Sequence, residues 1–128
     1  MQLAMKKKFE LEYIIRTSPK VLFTRLNTAD GLAQWFADDV TINNGIHTFV
    51  WEGVGQEAKK IREKAGKFVR FHWIDQDDDS YFEFRLEIDD ITTEVALIIT
   101  DFTEEDEMEE TKLLWDSQVN SLMQLLGS

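Results

Sequence analysis

Seven large aromatic residues hold positions whose spacing aims them at one interior: Phe49, Trp51, Phe71, Trp73, Phe82, Phe84 and Trp115. Six sit on alternating segments and one on a helical stripe. The chemistry open to such a set is recognition of an apolar or aromatic small molecule, since a specific pocket is mostly apolar wall with a few polar groups that set orientation. The same rings can also fill their interior completely, because large aromatics are efficient core formers. Val119 faces the same interior from the last helix, and Trp35 and Phe36 fall at its mouth, where a pair of short helices can act as a lid. Tyr13, Thr48 and Thr93 are the polar residues expected at inward strand positions, where they could orient a ligand.

Other chemistries fail on residue type or spacing. Asp75, Asp77 and Asp79 resemble the start of a calcium loop, but Ser80 stands where the turn glycine belongs and Leu86 where a bidentate glutamate is needed. A solvated turn is expected there. The two histidines, His47 and His72, lie on different strands, and with no cysteine present they cannot complete a zinc set. His72 sits beside Arg70 on a polar strand face and reads as a surface histidine. No Ser–His–Asp order, glycine-rich phosphate loop or nucleotide fingerprint occurs. An enzyme of the cyclase or hydrolase kind would need a titratable group inside the cavity, and the inward positions offer little beyond Tyr13. No catalytic residue, metal or cofactor is therefore assigned.

Composition narrows the partners. The chain of 128 residues suits one domain spanning 1–128. Its 25 acidic and 14 basic residues give a formal charge of −11, which argues against nucleic acid and against anionic membrane surfaces. Without cysteine there is no disulfide or thiolate chemistry. No apolar run approaches the ~20 residues of a membrane helix. The basic start, residues 1–8, lacks an apolar segment after it and does not read as a secretory signal. These features lead us to expect a cytoplasmic protein.

The elements that must position the aromatic set follow from periodicity. Residues 104–126 form a long amphipathic helix: Met108, Trp115, Val119, Leu122 and Leu126 are spaced by seven, four, three and four, and Leu114, Met123 and Leu125 widen the stripe. Thr103 with Asp106 fits a relaxed capping box, and acidic residues 104–107 suit a helix start. At about 33 Å and 1.5 Å per residue, such a helix needs a broad partner surface. Upstream, Phe9, Leu11, Tyr13 and Ile15 alternate with polar residues as a half-buried strand. Ser18-Pro19 then opens a helix burying Val21, Leu22, Leu26 and Phe23, and Thr28 caps a second, short helix carrying Leu32, Trp35 and Phe36. Asn43-Asn44-Gly45 is a tight-hairpin signal. Residues 56–64 read as a lysine-rich strand near a sheet edge. Val69–Trp73, Phe82–Ile88 and Val95–Ile99 alternate cleanly. Phe68, Ile14 and Ile98 fall on solvent faces, where clustering would allow a homodimer.

The resulting order is one strand, two short helices, six strands and a long helix. It predicts an α+β fold in which a curved antiparallel sheet of about seven strands wraps around the C-terminal helix. That order resembles the helix-grip superfamily, which includes START-like domains. Within it, Ser18-Pro19, then Asp30 leading to Trp35-Phe36, and Gly66-Lys67 leading to Phe71-His72-Trp73, are similar to the homologues of the heat-shock-protein ATPase activator. The resemblance implies a cavity between sheet and helix. It also implies several functions: binding of an apolar small molecule, cyclisation of polyketides, or co-chaperone action through a protein-interaction surface with a filled core. Fold alone does not choose among them.

Overall fold

In the computed structural model, which describes residues 5–128, local chemistry sets both short helices. Residues 1–4 of the basic start lie outside the described residues. Helix α1 (Pro19–Asn27) is capped by Ser18, whose Oγ accepts from the Val21 N–H at 3.2 Å. It buries Leu22, Phe23 and Leu26; Val21 instead faces solvent. Helix α2 (Ala29–Leu32) is capped by Thr28, whose Oγ1 accepts from the Gly31 N–H at 3.0 Å and donates to the Thr24 carbonyl at 2.6 Å. One hydroxyl thus ends α1 and starts α2, which makes the corner sharp. Trp35 and Phe36 lie just beyond α2, in the turns that follow it.

Seven strands form one antiparallel sheet: β1 (Lys6–Ile15), β2 (Asp39–Asn43), β3 (Ile46–Trp51), β4 (Val54–Lys64), β5 (Phe68–Trp73), β6 (Phe82–Ile88) and β7 (Val95–Glu104). Their order is β1-β7-β6-β5-β4-β3-β2. Six strands run as a meander, and the first closes against the last. The β2–β3 turn places Asn44 and Gly45 at φ 51° and 80°, as a two-residue hairpin with this twist requires.

Four expectations change here. Strand β4 is not near an edge; it is hydrogen-bonded to β3 on one side and β5 on the other. Its one buried side chain is Ala58, set in register between His47 and Trp73, so a small residue separates two large rings. Thr93 is not on a strand: it sits in the β6–β7 turn at φ 62° and is exposed. Thr48 alternates with the buried His47 and Phe49 and so points to the opposite face of β3. Phe68, expected in solvent, is only 8% exposed. It is covered on the convex face by the guanidinium groups of Arg85 and Arg62, 4.4 and 5.4 Å from its ring.

The closing helix α3 runs over Met108–Leu126, preceded by a 3₁₀ turn, Glu105–Glu107. It therefore starts later than its charge pattern suggested and spans about 28 Å. The capping box does not form: Thr103 belongs to β7 and its Oγ1 lies 3.2 Å from Thr111 Oγ1. Gly127 ends the helix in the left-handed region. Trp115, Val119 and Leu122 are buried against the concave face, while Leu114 and Leu125 are exposed and do not widen the stripe. Tyr13 reaches across from β1 and donates to Asp116 Oδ1 at 2.6 Å. Burial, followed by that bond and the charge of Asp116, raises the phenol well above its ordinary value.

Candidate ligand cleft

The concave face is covered unevenly. Helix α3 crosses one part, and the segment after α2 folds in beside it. Between them remains a cleft of about 890 Å³, open to solvent. Its size falls within the ~300–1,000 Å³ of small-molecule sites.

The segment after α2 is held by side-chain hydrogen bonds to the backbone. Trp35 Nε1 donates to the Arg25 carbonyl at 2.8 Å, tying the segment to the end of α1. The Phe36 carbonyl accepts from Trp51 Nε1 at 2.8 Å and from Gln118 Nε2 at 3.0 Å, joining it to β3 and α3. The Phe36 ring then stacks on Trp115 (centroids 5.7 Å, 16°) and meets Phe49 and Trp51 edge-on.

All four tryptophans of the chain, Trp35, Trp51, Trp73 and Trp115, line the cleft, together with Phe36 and Phe82. Trp51 and Trp73 are half-buried, their rings 6.1 Å apart and inclined at 58°. Phe82 continues this wall toward Trp115, 4.9 Å from Trp73 and 6.4 Å from Trp115. The remaining residues of the expected set stand behind it. Phe49, Phe71, Phe84 and Val119 are fully buried and support the lining without reaching the cleft. Tyr13, Thr48 and Thr93 contribute nothing to it.

The polar side chains of the cleft are ones that sequence reasoning passed over: Asp101, Gln118, Gln34, Gln56, Asp38, Thr111 and Ser121. Asp101 had a signal. It continues the two-residue alternation of Leu97 and Ile99, which places it on the inward face of β7. Its Oδ2 accepts from Trp115 Nε1 at 2.9 Å and its Oδ1 from the Phe102 N–H at 2.8 Å. Burial pushes its carboxyl above the ordinary value, while these two bonds and the charge of Lys6 pull the other way.

The histidines take structural positions. His47 is 1% exposed, with neither ring nitrogen hydrogen-bonded among the described residues. His72 is no plain surface residue: its ring nitrogens lie 2.6 Å from the Ser80 carbonyl and 3.0 Å from that of Gln76, pinning the β5–β6 turn. In the same turn Asp78 accepts from Ser80 and pairs with Lys6 at 2.9 Å. Among the described residues, no group of three or more His, Asp or Glu side chains is placed to hold a metal, and no helix is long and apolar enough to cross a membrane.

Comparison with known proteins agrees with this architecture. A Bacteroides fragilis protein, BfR322, solved in solution by NMR, is 36% identical, with 94% of this chain and 90% of that one covered and a TM-score of 0.68. The Aha1 dimer from Colwellia psychrerythraea, at 21% identity, covers 94% and 96% with a TM-score of 0.79. A Mesorhizobium loti protein, MLL2253, at 16% identity, covers 94% and 97% with a TM-score of 0.77. The last two likenesses are of fold. Among curated proteins no match reaches significance. The profile of the START-like superfamily domain matches residues 3–128, nearly the whole chain, and the protein belongs to that superfamily.

Proposed function

We propose that the protein binds an apolar or aromatic small molecule in the cleft between its sheet and α3. One observation carries the reading: all four tryptophans meet at a single concave opening, and two of them keep part of their indole surface uncovered. Burying apolar surface stabilises a fold by roughly 25 cal/mol per Å², so rings left open in a concavity are rings available to a ligand. The alternative, an interaction module with a filled core, is less well served by an opening of about 890 Å³.

A thermal-shift titration with neutral flat aromatics such as indole and naphthalene derivatives tests this. A ligand that binds only the folded chain stabilises it by RT ln(1 + [L]/Kd), about 2.7 kcal/mol at a hundredfold excess over Kd. The expected result is a dose-dependent rise in Tm with quenching of tryptophan emission, both reduced in Trp73→Ala. A Tm and an emission spectrum that stay flat for every compound would sink the reading.

A further inference from the structure

The charge of the cleft narrows what it can hold. Among the described residues two carboxylates, Asp101 and Asp38, belong to its lining, and no lysine, arginine or histidine does. Asp101 stands against the aromatic wall, fixed by Trp115 Nε1 at 2.9 Å. A carboxylate has about four lone-pair sites; among the described residues Asp101 uses one on each oxygen, for Trp115 and for the Phe102 N–H. It can therefore accept further N–H donors. Lys6, the base whose charge reaches Asp101, is engaged elsewhere in an ion pair with Asp78 at 2.9 Å. That burial still raises Asp101 over the pull of Lys6 and two hydrogen bonds marks a negative charge with too little compensation. Trp115 meets it through its N–H edge, and the other three indoles line the same cleft; a ring face open to the cleft attracts cations through its quadrupole. The whole chain adds to the effect with a formal charge of −11.

We propose that the cleft selects an organic ammonium ion: a protonated amine carried on an apolar or aromatic body. The ammonium group hydrogen-bonds to Asp101, and the body lies along Trp73, Phe82 and Trp115. This inference rests on the ligand-cleft reading above and adds the class of ligand. It also excludes fatty acids and other anionic amphiphiles, whose carboxylates would enter a site with two acids and no base.

Three probes of one skeleton test it: phenylpropylammonium, phenylpropanol and phenylpropanoate, titrated into the full chain near neutral pH and followed by tryptophan emission and amide NMR shifts. We expect the ammonium to bind at least about tenfold more tightly than the alcohol, as a charge-assisted hydrogen bond warrants, and the carboxylate to bind worst. Asp101→Asn should bring ammonium and alcohol within about threefold of each other, because it weakens the ammonium far more than the alcohol. If that variant does not fold, Asp38→Asn and the order of the three probes on the unaltered chain decide: the ammonium must stay first and its margin must shrink. Equal binding of ammonium and alcohol, or tighter binding of the carboxylate, overturns the ammonium inference and leaves the cleft reading standing. No binding of any of the three overturns both.

Discussion

His47 puts an imidazole where no hydrogen-bond partner among the described residues reaches it. Its ring packs edge-on against Phe71 at 4.9 Å and beside Phe49 at 5.8 Å, with Ala58 across the strand pair. Burial lowers its pKa, Lys60 adds to the shift, and Glu63 opposes it; both charged groups come from β4. Folding thus favours the neutral ring, while the unfolded chain takes up a proton below about pH 6.5. The sign follows: the contribution of His47 to stability is present above about 6.5 and is lost as pH falls from there through the folded-state value. Two buried ring nitrogens without partners among the described residues also carry a desolvation cost at every pH. His47→Leu should therefore be as stable as the parent at neutral pH, or more so, and should lose part of the acid-side decline. Urea unfolding of both proteins at about pH 7.5 and 5.5 measures this. A variant that is less stable at neutral pH and retains the full decline would show that the ring has a bonding partner, such as a buried water.

At the scale of elements, the corner between α1 and α2 decides where the cleft mouth stands. Gly31 lies where a Cβ would come within 2.2 Å of the Thr24 carbonyl oxygen and 2.7 Å of Arg25 Cα, both backbone atoms that cannot swing aside. Gly31→Ala should force the helices apart and cost about 1–3 kcal/mol or more, as overpacking does. It should also shift the NMR signal of the Trp35 indole N–H, whose bond to the Arg25 carbonyl spans the same corner. Gly45→Ala is the control. There φ is +80° and nothing lies within 4 Å, so strain should appear without movement of Trp35. Equal displacement of the Trp35 signal in both variants would mean that the corner is not what sets the segment.

The same scale shows which parts of the fold were legible in the chain and why. Caps at Ser18 and Thr28, the Asn44-Gly45 turn and the alternation of β6 are contests between neighbouring residues, and neighbours are visible in sequence. The interior place of β4 is not a local property. Its charged residues suit an edge, yet Ala58 is required between His47 and Trp73, a demand set by strands on either side. The start of α3 misled for the same reason: β7 extends through Glu104 because β1 pairs with it to that point. In the cleft, ring positions followed from periodicity, but which rings line it and which stand behind depends on how far α3 and the segment after α2 cover the sheet. Asp101 was hidden by a boundary, since the alternation that exposes it runs past Ile99 into residues that read as a connection.

For the molecule as a whole, Phe36 is where core and cleft share a side chain. It is 3% exposed and meets rings from β3, β6 and α3: Phe49, Trp51, Phe82, Phe84 and Trp115. Its carbonyl, bonded to Trp51 and Gln118, stays in place whatever the side chain. Phe36→Ala therefore removes packing without cutting those ties. Truncating a buried Phe costs about 3–5 kcal/mol, a large share of the roughly 5–15 kcal/mol that holds a domain together. Trp73 is larger but half-buried, a wall of the cleft more than a part of the core. Trp73→Ala should cost clearly less stability and more ligand affinity. The two variants, compared by urea unfolding and by titration with one aromatic ligand, should fall in opposite orders on the two scales. If Phe36→Ala is too unstable to populate the native state, Phe36→Leu gives the same ordering with smaller steps. The same order on both scales would mean that the cleft wall and the core form one unit, and that a ligand could not enter without loosening the fold.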